Sequence, residues 1–442
     1  MADHAHAGPP VVDDRPPARP AATALRSGPL RRYLVGQLPS VTCSWVQVVA
    51  LSWVVITRDP HALGWVVALQ FLPSLALGPW FGAVADRHDR RRLLMLAEAG
   101  LGLVALTYAT LSALDRLTLP VVCVLATSWG VVNALDTPAR RALVPTLVPV
   151  GAASAASAMA GTVMLVGMSA GAALGAVLVT TTGVTAAFAV NAASFLVDVV
   201  ILSTIRVAAS PRVERAPRQV RDGLSYVRHH PVLRRALLAL AVVATLAFTV
   251  QVSVPLLVRT SFDGGPSQVG AGLTSVAVGS LAGTVAAAAR GVPGRLSPAC
   301  LLVGAACAVT ALAPDVRVVY AGLAGLGFAW SWLLMSVIGT LQTAEPRMMG
   351  RVMSLLAAVL LGGNAVGGPL AAAAAGLAGS RAPFVLGSVA ASATALAVTR
   401  QRESTAPSHH DEPPPAATRW PAHPPAPRPA NQVPRVSRSH DE

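Results

Sequence analysis

Asp86 heads a run of basic residues in GAVADRHDRRRLL (residues 82–94), where Arg87, Arg90, Arg91 and Arg92 follow it and long apolar segments lie on both sides. Topology alone accounts for the arginines, because short loops on the cytoplasmic face of a membrane collect them. It does not account for the acid, which needs a cationic partner beside lipid and has arginines to supply one. Two more acids, Glu98 and Asp198, sit inside apolar segments, each about seven residues from the nearer end and hence ~10 Å deep at ~1.5 Å of rise per residue. A carboxyl at that depth is a proton-relay candidate; the competing readings are a side chain that snorkels to the surface or a structural hydrogen bond.

The elements that must hold these residues follow from composition. Of 442 residues 53% are hydrophobic and only 12% charged, about half the charge of a soluble domain. So apolar a chain suits lipid, where the backbone must satisfy itself in helices or a closed barrel. Runs near twenty apolar residues favour helices over the short alternating strands of a barrel. Twelve spans are expected near 33–57, 62–85, 92–114, 117–135, 157–181, 183–205, 236–258, 268–289, 298–313, 317–340, 352–375 and 382–399. The fold class is therefore all-α, with a bundle at 33–205 and another at 236–399. Between them runs a basic central loop, 206–235, whose DGLSYVRHH portion can form a helix lying on the membrane surface. The tails, 1–32 and 400–442, are rich in Pro, Ala and Arg or in Pro, His and Arg, and read as disordered.

All 34 basic residues are arginine. With the amino terminus in the cytoplasm, 29 of them fall on the cytoplasmic side and only Arg58, Arg116, Arg259, Arg317 and Arg381 on the other. That split puts both termini in the cytoplasm and the chain in the cytoplasmic membrane, many times spanned. No secretory signal precedes the first span, so that helix does the targeting. LDTPARRALVP after span four and AEPRMMGRVMS after span ten repeat the order acid, proline, arginine at the same place in each half. Parallel six-helix repeats are a transporter design.

Other classes find little support. The net charge of +14 is dispersed between spans rather than gathered on a soluble face, which argues against nucleic-acid binding. Cys43, Cys123, Cys300 and Cys307 lie in apolar segments without metal or disulfide spacing. A membrane-embedded lipid enzyme needs clustered His, Asp or Cys near a membrane face, whereas eight of ten histidines sit in the tails or the central loop. No Walker motif is present, so energy for transport must come from an ion gradient. In span five, Gly167, Gly171 and Gly175 recur every four residues, a spacing that close helix packing explains without a substrate role.

The opening loop resembles the signature of the major facilitator superfamily: Gly, small or apolar residues, Asp, Arg, two residues, then two basic ones. Gly82, Asp86, Arg87, Arg90 and Arg91 match it, and Asp89 replaces the second glycine, as in an exporter branch typified by the enterobactin exporter. SWVQVVALSWVV, ALDTPARRALVP, DGLSYVRHHP and GRVMS look like that branch too, and the resemblance covers about residues 30–400. It implies a latch holding the two halves together when the cytoplasmic side is closed. Asp86 would face the amino end of span eleven, whose free amides favour an anion. Gly82 would let helices approach closely, and Asp136 would tie Arg87 or Arg91 to its own half. Arg140 and Arg351 stand in the corresponding basic stretches of the two halves. The resemblance also implies a cavity lined by spans one, four, seven and ten, whose polar and aromatic members are Trp45, Gln47, Trp129, Asn133, Gln251, Trp330 and Trp332. Such a set suits bulky amphipathic molecules, and interfacial anchoring is the alternative for the tryptophans. Two departures concern proton coupling: Cys43 and Ser44 stand before Trp45 where many members carry an acid, and MLVGMSAGAALG replaces the usual Asn-Ala-Arg signature of span five.

The expectation is a monomeric secondary transporter, without cofactor or metal, that exports a drug, siderophore or secondary metabolite by alternating access in exchange for protons. An uptake symporter of the same fold is the other transport reading.

Overall fold

The computed structural model describes residues 20–206, 219–290 and 296–403. The expected disorder of the tails before residue 20 and after 403, and residues 207–218 of the basic central loop, lie outside the described residues.

Fifteen α-helices cover nearly all of what is described: α1 (Pro20–Arg26), α2 (Gly28–Ile56), α3 (Ala62–Arg87), α4 (Arg90–Ala113), α5 (Leu119–Leu143), α6 (Ala153–Thr181), α7 (Val184–Thr204), α8 (Gln219–His229), α9 (Pro231–Leu246), α10 (Val250–Phe262), α11 (Pro266–Arg290), α12 (Leu296–Leu312), α13 (Val316–Leu341), α14 (Pro346–Ala378) and α15 (Ala382–Glu403). Ten stretches, with α9 and α10 counted together, are long and apolar enough to cross a membrane, and Ala62–Gly78 and Leu296–Leu312 are shorter apolar helices. These fall at the twelve expected places.

Local chemistry sets the starts. Ser27 caps α2 by accepting from the Leu30 amide, and a proline occupies the first turn. Residues 20–32, read from sequence as tail, are therefore helical, and buried Ala24, Leu30 and Tyr33 join one apolar cluster with Leu94, Leu143 and Leu202. Asp89 caps α4 through the amides of Arg91 and Arg92, at 2.9 and 3.2 Å. That is a local reason for an acid where the superfamily signature has glycine. Asp315 does the same for α13.

Two sequence boundaries differ from the structure. Span four was expected to end near 135, but α5 runs through LDTPARRAL to Leu143. Pro138 forfeits only its own amide bond, and an Asp136–Arg140 pair four residues apart brackets it. Span seven, expected as one helix, is broken at 247–249: the Ala247 and Phe248 amides both turn back to the Val243 carbonyl, and a new helix starts from Thr249.

The glycine stripe of α6 packs on α2. A Cβ at Gly167 would meet Val41, one at Gly171 would collide with the Thr42 carbonyl, and one at Gly175 would lie 3.0 Å from Val46 Cα. Gly171→Val is accordingly expected to destabilise the protein by about 1–3 kcal/mol through overpacking. Thermal unfolding of the detergent-solubilised protein checks this, and an unchanged midpoint would refute the packing argument.

Where helices of the two bundles cross, they touch near the arginine-poor ends. On α3 and α14, Gly64 abuts Gly368 and Ala372; on α6 and α11, Gly270 abuts Ala172 and Ala176. Toward the arginine-rich ends these contacts stop. Gly362 still reaches Leu75, but a methyl group added at Gly78, Gly82, Gly161 or Gly350 would meet nothing within 4 Å among the described residues. Contact between the bundles at these glycines is thus confined to the arginine-poor ends.

Candidate functional site

One guanidinium organises the buried acids. Arg140, in the last turn of α5, donates from Nε to Asp136 Oδ2 at 3.2 Å and from Nη2 to Asp136 Oδ1 at 3.1 Å. The same Nη2 donates to Glu98 Oε1 on α4 and stands 3.9 Å from Asp198 Oδ2 on α7. Its Nη1 reaches the Tyr33 hydroxyl on α2 at 3.3 Å, and Ser40, two turns along α2, donates to the other Glu98 oxygen at 3.4 Å. Four helices thus converge on one cation.

Glu98 and Asp198 are wholly buried and Asp136 is 7% exposed. Three carboxyls around one guanidinium cannot all stay ionised in a low-dielectric interior without uncompensated charge. Among the described residues neither Asp198 oxygen, nor the buried Gln37 Oε1, has a partner at ordinary hydrogen-bond distance, although the Asp198 and Glu98 carboxyls stand close enough to interact. Gly36 leaves the room Asp198 needs, since a Cβ there would collide with Oδ1. Among the described residues of α9 to α14, by contrast, no acid is buried.

Sequence reasoning singled out both membrane acids but not Tyr33, Gly36 or Ser40. Their spacing on one face of α2 was the available signal. Asp136 binds Arg140 and neither Arg87 nor Arg91. Arg91 instead donates to the carbonyls of Leu202, at 2.7 Å, and Ser203, while Arg32 donates to that of Thr204 at 3.2 Å. Those arginines finish the carboxyl end of α7, where the helix dipole favours cations. Arg90 lies 3.4 Å from the Ala142 carbonyl. Arg87 ends α3 exposed, and the side chain of Asp86, in the same turn, lies outside the described residues. Arg351, near the start of α14, pairs with Asp222 of α8 at 3.6 Å.

The expected cavity residues divide. Gln47 is buried and accepts from Asn191 at 2.8 Å, so it joins α2 to α7. Trp330 is buried against Phe248, their ring centroids 4.1 Å apart, directly at the break between α9 and α10. Trp45, Trp129, Asn133, Gln251 and Trp332 are partly exposed. Asn133 donates to Ser74 at 3.4 Å and Trp332 stacks on Phe328.

Twelve apolar stretches in this packing, one of them broken at Ala247–Thr249, with a buried ionic cluster in the first bundle, make a polytopic membrane protein. The chain belongs to the transmembrane secretion effector family of the major facilitator superfamily, whose family model matches residues 21–424.

Among curated proteins it is similar to the staphyloferrin A transporter of Staphylococcus aureus, 33% identical over 107 residues, which are 24% of this chain and 27% of that one. It is also similar to macrolide efflux protein A of Streptococcus pyogenes, 22% identical over 259 residues, 56% of this chain and 63% of that one. The chain thus spans less than two thirds of the length of these relatives. Among solved structures, a bacterial homologue of the human lysosomal transporter Spinster, inward-facing and occupied, superposes with a TM-score of 0.67 at 15% identity, covering 89% of this chain and 100% of that one. The nucleoside transporter NupG gives 0.65 at 9% identity, covering 85% and 99%. At such identities the likeness is one of fold.

Proposed function

We propose that this transporter exports a bulky, amphipathic small molecule from the cytoplasm and couples export to proton entry. The carrying observation is the cluster of Glu98, Asp136 and Asp198 around Arg140, which gives the first bundle a buried group able to exist in two charge states. Residues 33–205 and 236–399 act as the two rocking halves. With the arginine-rich ends in the cytoplasm, the described conformation is open inward, and the α3–α14 and α6–α11 glycine crossings close the outer side. Asp86, with Gly82, Arg87, Arg90 and Arg91, serves as a latch that meets the start of α14 when the inner side shuts. Trp45, Trp129, Asn133, Gln251 and Trp332 line the path of the substrate, and their aromatic and amide character fits an organic molecule with one apolar face. The names of the siderophore and macrolide relatives support that class of cargo.

Transport into inverted membrane vesicles, with a panel of siderophores and macrolides, tests this. Accumulation of at least one compound is expected when the vesicle interior is acidified, with collapse on addition of a protonophore. Accumulation only in right-side-out vesicles would favour the uptake symporter. Accumulation indifferent to the pH gradient would remove proton coupling.

A further inference from the structure

Two stretches that resemble the family, DGLSYVRHHP and GRVMS, find no use in a proton cluster or a cavity. In the structure they form one device. Helix α8 lies on the start of α14 and is anchored by Val227, which is buried in the same apolar cluster as Leu233, Val352 and Leu356. Gly223 permits the contact, because a Cβ there would stand 3.1 Å from Arg351 Cβ and 3.2 Å from its carbonyl oxygen. Asp222 pairs with Arg351 at 3.6 Å. Tyr226, 119 residues from Glu345 in sequence, accepts a hydrogen bond from the Glu345 amide at 3.3 Å, and its ring packs on His230. Glu345 is the capping residue of α14, yet its own side chain makes no capping bond and pairs with Arg347 at 2.6 Å. Helix α8 therefore supplies the amino end of α14 with an acceptor for the amide of its capping residue and an anion for Arg351, one turn further in.

The amino end of α14 is also where the latch acid is expected to dock. Here Gly82 and Gly350 have no neighbour within 4 Å of an added methyl group among the described residues, and Arg351 of α14 is held by Asp222. We propose that α8 is the resident half of the cytoplasmic gate: Asp222 and Tyr226 position the first turn of α14 while the gate is open, and Arg351 passes from Asp222 to Asp86 as it closes. The inference rests on the latch reading above for the identity of the second acid, and on the observed contacts for the first. An exchange of one cation between two acids makes a signed prediction. Loss of Asp222 frees Arg351 and favours the closed gate, whereas loss of Asp86 favours the open one.

The experiment uses the full-length, cysteine-free protein in lipid nanodiscs, spin-labelled at Ala158→Cys on α6 and Ala289→Cys on α11. Both sites are exposed near the arginine-rich ends and remote in sequence from α8. Distance distributions report gate opening without any need for transport. Asp222→Asn is expected to enrich the short-distance population about two- to fivefold, the range open to a half-exposed ion pair, and Asp86→Asn to deplete it. Tyr226→Phe, which removes only the hydroxyl, should move the distribution as Asp222→Asn does but by less. The charge exchange Asp222→Arg with Arg351→Asp restores the open-gate pair but sets an acid against Asp86 on closing, so it should deplete the short-distance population as Asp86→Asn does. An unmoved distribution in Asp222→Asn overturns the role of α8, as does a shift of both acids' variants in the same direction. A shift in Asp222→Asn alone overturns the hand-over to Asp86. None of these results bears on whether the protein exports, which the vesicle assay decides separately.

Discussion

Glu98→Gln and Asp198→Asn are each expected to reduce gradient-driven export to the level of passive leak while leaving substrate binding and downhill exchange in place. A carrier must take up a proton on one side and release it on the other, and an amide fixed in the neutral form cannot alternate. Both residues are wholly buried, whereas the side chains proposed to meet the substrate are partly exposed. Asp198→Asn is the cleaner of the two, because Asp198 stands 3.9 Å from the guanidinium where Glu98 bonds it directly. Glu98→Gln also weakens the bonds to Arg140 and Ser40, and a modest loss of thermal stability should accompany its loss of pumping. Binding by tryptophan fluorescence, counterflow exchange and pH-driven accumulation in proteoliposomes separate the three quantities. Wild-type accumulation in both variants would sink the coupling role of the cluster. Equal loss of exchange and accumulation would assign the acids to structure.

The twelve crossings were legible because each is an apolar run of near-membrane length, and hydropathy needs no tertiary knowledge to find such runs. What hydropathy cannot see is backbone continuity. The break at Ala247–Thr249 carries no glycine or proline to mark it; it shows in the Ala247 and Phe248 amides, which both bond the Val243 carbonyl, and Phe248 packs on Trp330 there. LDTPARRAL errs the opposite way, since proline and charge suggest a loop where the helix continues. That continuation brings Asp136 and Arg140 onto one face. Glu98 and Asp198 were legible singly, as acids in lipid-length runs. Their convergence was not, because it depends on how α2, α4, α5 and α7 meet. The contribution of α2 is a glycine, a tyrosine and a serine, whose types alone announce nothing. The α8 clasp was half legible: the stretch was recognisable as a surface helix, but its partner lay far off in sequence.

Arg140→Leu is expected to be the most damaging single charge change in the protein, costing about 3–5 kcal/mol of stability, the range for removing one partner of a buried ion pair. The leucine would fill much of the space, so the cost is electrostatic: Glu98, Asp136 and Asp198 would remain around a site with no cation. Arg140→Lys should recover only part of it. A single ammonium cannot match the guanidinium's separate bonds to Asp136, Glu98 and Tyr33, which issue from three nitrogens in one plane. The charge argument has its own control. In the triple variant Arg140→Leu, Glu98→Gln, Asp198→Asn the two deepest acids are neutral, and Asp136, the most exposed of the three, is the only carboxylate left. Its stability should return most of the way to wild type although more residues are changed, a non-additivity that contacts through one network produce. Thermal unfolding in detergent, followed by size-exclusion profile, reads all three proteins. A triple variant as unstable as Arg140→Leu would mean that the arginine supports the bundle by packing, and the cluster would lose its standing as a charge-balanced site.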